Sequence, residues 1–213
     1  MLYAYEMSLL KSSNCIEESS SGGSGASGGR VARRRLRMRE ALLQAGARQF
    51  SARGIDTVSV EDLLEEADVS RATFYDIFPN KNKLLKDIIN PVLKKATQSV
   101  KELEQLPAEL ALNSLFKVYL DLWLEHKDGL MLIPLVDASA FEYFQGQHEV
   151  LNQALMSVLM KAEKNNLLRN GSANYSLRIL ARTAIPLLKV YDGHPSRDEL
   201  FLDGMKALLV RLG

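Results

Sequence analysis

The chain has 213 residues, 46% hydrophobic and 25% charged, with a formal net charge of +1. That is enough to bury a core in one or two compact units, and the composition is that of a globular protein rather than a disordered or fibrous one. No apolar run approaches the roughly 18 residues of a membrane-spanning helix, Met1 to Leu10 lacks the basic start and cleavage site of a secretory signal, and the lone Cys15 has no internal disulfide partner; these point to a cytoplasmic protein without a membrane partner.

In chain order, residues 1–29 end in the run Ser-Ser-Ser-Gly-Gly-Ser-Gly-Ala-Ser-Gly-Gly, which is too poor in apolar surface to fold and reads as a flexible linker. The extension is an inessential tail, a tether or an expression remnant. The charge then shifts sharply: residues 30–53 hold eight arginines against Glu40 alone, whereas residues 54–90 hold four basic and eight acidic groups. Six of the eight arginines fall between Arg30 and Arg39. Such a run is either a solvated helix start or an arm that neutralises phosphates or enters a minor groove. A first helix is expected from about Leu36 to Arg53, burying Leu42, Leu43, Ala45, Gly46 and Phe50 and stopped by Gly54.

From Ser59 to Phe78 the pattern is that of two short helices around a tight turn. Ser59 caps a helix whose apolar face is Val60, Leu63, Leu64 and Ala67; Asp68 takes the left-handed turn position and Val69 plugs the angle. Ser70 caps the second helix, which turns Phe74, Ile77 and Phe78 inward and leaves Arg71, Ala72 and Thr73 at its outer start. A helix-turn-helix places such residues on base edges in a major groove, where Arg71 can take a guanine and Thr73 a phosphate or thymine methyl.

The run Val69-Ser-x-x-Thr73-x-Tyr75-x-x-Phe78-x-x-Lys81-x-x-Leu84 resembles the DNA-binding signature of the tetracycline-repressor (TetR) family of transcriptional regulators, and the match extends back to about Leu42. The resemblance implies an all-α fold with an N-terminal three-helix DNA-binding domain over 30–90 and a C-terminal helical effector-binding and dimerisation domain over 91–213. It also implies phosphate contacts by Tyr75 and Lys81. The full expected DNA-binding set is Arg33, Arg34, Arg35, Ser59, Ser70, Arg71, Ala72, Thr73, Tyr75 and Lys81. Two features depart from the pattern: Ile77 stands where the family often has His, and Glu61 and Asp76 put acidic groups near the DNA face.

Lys81 opens the next helix, and Asn90-Pro91 is expected to break or kink it, because Pro cannot donate its backbone hydrogen bond. In the resembling family this helix joins the DNA-binding head to the body. Further helices are expected over Pro107–His126 with a break at Lys127–Gly129, over an apolar stretch around Pro134, over His148–Leu168, over Tyr175–Tyr191 and over Glu199–Leu212. The last carries a capping-box spacing from Ser196 to Glu199. Phe116, Tyr119, Trp123, Met131, Phe141, Phe144 and Met156 are either ordinary core or the lining of a cavity for a largely apolar effector. On the last two helices, Leu177, Leu180, Ala184, Leu188, Leu202, Met205 and Leu209 are either buried in their own chain or, as the resemblance implies, pair with a second copy. A two-fold homodimer would read a pseudo-palindromic operator.

Catalysis finds no footing. His126, His148 and His194 share no metal-ligand spacing, no nucleophile elbow is present, and no cofactor or metal is expected. The reading is a sequence-specific DNA-binding transcriptional regulator, a repressor released by a small molecule. The alternative is a helical interaction protein of the same fold without sequence-specific DNA binding.

Overall fold

The computed structural model describes residues 26–211, and these are helical throughout apart from short connections and one antiparallel bridge between Leu168 and Val210. The helices are α1 (Ala26–Arg53), α2 (Val60–Ala67), α3 (Arg71–Ile77), α4 (Lys81–Leu103), α5 (Ala108–Leu132), α6 (Ala138–Phe141), α7 (Gln145–Lys164), α8 (Ala173–Val190) and α9 (Arg197–Leu209). Two compact units result. The head holds the described residues up to Ile88 together with Leu135–Tyr143, and the body holds Ile89–Pro134 and the chain from Phe144 onward.

In the head, α1 packs on α2, and α2 and α3 lock through local caps. Ser59 accepts from the Asp62 amide while the Asp62 carboxylate accepts from the Ser59 amide at 2.7 Å, so two orphan donors of the helix start are satisfied reciprocally. Asp68 ends α2 at φ 50°, ψ 51°, and the next amide, of Val69, donates to the Leu64 carbonyl at 3.1 Å. Gly54 ends α1 at φ +89°, a conformation that carries a steric penalty for any residue with a Cβ. Gly46 serves α4: a Cβ there would lie 3.0 Å from Ile88 and 3.1 Å from Leu84.

Charge pairs fasten the head from outside. Hydrogen bonds from Ser59 and Arg53 hold the Asp62 carboxyl well below the usual carboxylate range, and the hydrogen bond from Arg48 lowers Glu66. Partial burial would raise Asp87, but Lys83 and Arg39 together outweigh it and the net direction is downward. A folded pKa below the unfolded one stabilises above the unfolded value and is lost as pH falls through the folded value. The melting temperature should therefore hold from neutral pH to about 5 and decline below about 4, where free carboxylates protonate. A triple variant, Asp62→Asn, Glu66→Gln and Asp87→Asn, should start lower and lose less with acid. Parallel acid losses in both proteins would refute this origin.

Four sequence expectations are corrected by the structure. The first helix starts at Ala26, so Ala26–Gly29 are its first turn rather than linker; the remainder of the expected extension, with Cys15, lies outside the described residues. Pro91 lies inside a continuous α4, so the expected break there is absent. In α5 the departure from helical geometry falls at His126 (φ −139°, ψ 31°), just before the expected break, and the helix continues to Leu132. Ser196 makes no side-chain cap, since its backbone has φ −102°, ψ 29° rather than the extended form a capping box needs.

The body is a helical bundle in which α8 packs on α7 and α9 and α5 lies against α7 and α8. Its core includes Leu115, Phe116, Trp123, Leu159, Leu180, Leu188 and Phe201, all almost fully buried. The chain end is tied in by two backbone bonds, Arg169 N–H to the Leu209 carbonyl at 2.9 Å and Arg211 N–H to the Leu167 carbonyl at 2.8 Å.

Candidate nucleic-acid interface

The helix α3 has only seven residues, too few to hold its shape alone, so its neighbours decide its direction. Ser70, extended at φ −68°, ψ 152°, accepts from the Thr73 amide at 3.3 Å, and the two hydroxyls lie 2.9 Å apart. Phe74 and Phe78 are sealed inside with ring centroids 6.1 Å apart. The opposite face is therefore outward: Arg71, Ala72, Tyr75 and Asp76 are exposed, Tyr75 to 47%. This is the presentation that base reading requires, with an arginine at the helix start and an aromatic hydroxyl one turn further.

The two acidic groups near this face are each matched by an arginine. Arg71 donates to the Glu61 carboxylate, and Arg35 donates to the Asp76 carbonyl at 2.7 Å with its guanidinium 3.5 Å from the Asp76 carboxylate. All four side chains are more than half exposed, and exposed pairs contribute only about 0–1 kcal/mol. Arg71 can thus leave Glu61 for a base at small cost.

The other expected DNA contacts divide into free and committed groups. Arg33 and Arg34 are exposed and meet no partner among the described residues. Lys81 is committed: its ammonium donates to the Ile55 and Val58 carbonyls at 2.7 and 2.9 Å, closing the turn between α1 and α2. Ser59 spends its hydroxyl on Asp62 at 2.6 Å. Arg39, absent from the sequence-derived set, donates to Asp87 at 2.7 Å and lies 5.7 Å over the Phe78 ring, so it braces α1 against the head. Its i+4 spacing from Arg35 was the available signal.

Among the candidate effector residues, Phe116 and Trp123 are body core, with Tyr119, Met131 and Met156 packed against that core. Phe144 is buried at the start of α7, and Phe141 belongs to the segment grouped with the head. A groove of about 670 Å³ opens elsewhere in the body, between Leu93, Lys94, Thr97, Gln98, Lys101 and Glu102 of α4 and Gly146, Gln147 and Val150 of α7. Sequence pattern missed it because six of its nine lining residues are of polar or charged types, so no apolar stripe marks them.

The candidate dimer residues face the core of their own chain. Leu180, Ala184, Leu188, Met205 and Leu209 are fully buried within the single chain, Leu177 nearly so, and Leu202 packs against the same core. The outward side of α8 instead carries Tyr175 and Val190, at 62% and 74% exposure, with Arg182 and Pro186 between them.

Residues 42–88 match the model of the family described as bacterial regulatory proteins, tetR family. The helix-turn-helix transcriptional regulator EthR of Mycolicibacterium smegmatis is 37% identical over 70 residues, which is 32% of each chain. The chain thus spans about a third of the length of this curated relative. Among solved structures, the ketosteroid transcriptional regulator KstR2 of Mycobacterium tuberculosis superposes with a TM-score of 0.67 at 16% identity, over 82% of this chain and 95% of that one. A complex of SmeT with triclosan superposes with a TM-score of 0.58 at 21% identity, over 83% and 93%. At these identities the two structures speak for the fold.

Proposed function

We propose that this chain, whose residues 42–88 match the model of the tetR family of bacterial regulatory proteins, is a regulator of that family that binds duplex DNA sequence-specifically through α3 and represses transcription until a small molecule occupies its body. The observation that carries the reading is the division of α3 into a sealed face, Phe74 and Phe78, and an outward face, Arg71, Ala72 and Tyr75. Arginine–carboxylate pairing at Glu61 and Asp76 removes the main argument for a fold that has lost DNA binding.

The effector half of the proposal rests on α4. This one helix begins in the head at Lys81 and lines the body groove with Leu93, Thr97 and Lys101, so a ligand in the groove touches the element that also carries Leu84 and Leu85 of the head core. The SmeT–triclosan complex is a precedent for a small-molecule ligand in this fold. Coupling requires the ligand to favour one arrangement of that helix over another. Two copies would pair through the outward side of α8, since the inward side is already filled.

Selection of bound fragments from a random duplex pool tests the core of this. The recovered sites should be two inverted half-sites about 34 Å apart, one helical turn, as a two-fold dimer requires. Arg71→Ala should relax the preference at one base pair of each half-site by about 1–3 kcal/mol, or roughly 5- to 150-fold, while leaving other positions unchanged. A pool that shows no enrichment over its input would end the proposal.

A further inference from the structure

The six arginines between Arg30 and Arg39 sort onto two faces of α1. With about 3.6 residues per turn, positions 30, 33, 34 and 37 share one face and positions 35 and 39 lie opposite. The opposite pair is used inside the head: Arg35 bonds Asp76 and Arg39 bonds Asp87. Arg30, Arg33, Arg34 and Arg37 are all exposed, and among the described residues none of them meets a carboxylate or a carbonyl. Four cations within about two turns repel one another, and folding gains nothing from that face. Its charge is directed outward, toward something else.

The arm's position says what. Arg35 donates to the backbone of Asp76, a residue of α3, at 2.7 Å, so the arm leaves the head beside the recognition helix. Arg34 and Arg37 lie one and two residues from that anchor. Whatever duplex α3 reads, the stripe sits next to it. The arm is helical from Ala26, and a helix about 10–12 Å across with its side chains does not enter a minor groove about 6 Å wide. That excludes the minor-groove mode open to an extended arm. From Arg30 to Arg37 the stripe is about 10 Å long, matching about three phosphates of one strand along the duplex axis.

We propose that Arg30, Arg33, Arg34 and Arg37 form a phosphate clamp that grips the duplex backbone flanking the half-site read by α3, adding affinity without sequence preference. This rests on the DNA-binding reading above, and concerns a separate surface. The ligand is duplex backbone, and the interaction is charge with charge.

The test uses the full chain with all four arginines changed to Gln, and a second variant with all four changed to Lys. Binding is measured against salt on the selected site with about ten flanking base pairs on each side, on the same site trimmed flush, and on an unrelated duplex. With about three to four phosphates neutralised per chain and their counterions released, the Gln variant should lose about 3–4 from the slope of log affinity against log salt for each bound chain. Across a fourfold change in salt, that slope difference is about a hundredfold in affinity. The loss should be equal on selected and unrelated flanked duplexes, nearly absent on the trimmed site, and restored by Lys, while fragment selection returns the same bases and the melting temperature is unchanged. An unchanged slope, or the same loss on the trimmed site, overturns the clamp. Failure of the wild type to select any sequence would instead strike the regulator reading, since the clamp is still measured by the slope on unrelated duplex.

Discussion

Phe74→Ala is expected to abolish duplex binding by dismantling the head, whereas Tyr75→Ala, one residue on, should abolish most binding and leave the fold intact. Phe74 is fully buried and contacts Tyr75 edge-on, with centroids 5.2 Å apart, and Phe78 at 6.1 Å. Truncating a buried Phe costs about 3–5 kcal/mol, against a total stability of only about 5–15 kcal/mol for a whole domain. The head feels that loss most, because α3 is seven residues long and has no stability of its own to fall back on. Tyr75 is 47% exposed, so its removal should change stability by under about 1 kcal/mol. Its expected phosphate contact is lost all the same. Thermal melts beside binding isotherms separate the two cases. A Phe74→Ala protein that melts like the wild type would mean that something other than this ring seats the recognition helix.

Pro91→Ala should move stability the other way. Pro91 lies in the interior of α4 and is exposed, so its ring contributes little packing, yet it removes the amide that would bond the Asp87 carbonyl. An interior proline costs about 3 kcal/mol relative to alanine, and a chain of this size gains about 2–4 °C per kcal/mol, so a rise of roughly 6–12 °C is expected. Beside it, the Asn90 side-chain oxygen is buried without a hydrogen-bond partner, a second local fault of about 1–3 kcal/mol. Both faults fall within three residues of Ile88, where the two compact units divide. A helix that carries a signal from body to head would keep such a weak point. The stiffened variant should then show a smaller ratio of operator affinities without and with effector. A melting temperature that stays level or drops would show that α4 is not weakened at this position.

The sequence alone was enough for the helix-turn-helix of the head, though not for where α1 starts, because each signal there acts within a few residues. Ser59 with Asp62, Ser70 with Thr73, and Gly54 ending α1 are contacts over three or four positions, and the left-handed Asp68 is a property of one residue. Helical periodicity likewise turned Phe74, Ile77 and Phe78 inward; the two phenylalanines are buried and Ile77 is half-buried. Only the tertiary structure decided what the buried faces meet. An apolar stripe on α8 and α9 reports that a side is covered; it carries no mark of whether the cover is the same chain or another copy, and here Leu180, Leu188 and Met205 are covered from within. The same holds for charge. Composition shows six arginines in ten residues, but which of them are held by Asp76 and Asp87, and which four are left facing outward, depends on carboxylates about 40 to 50 positions away, brought near only when α3 and α4 pack on the first helix.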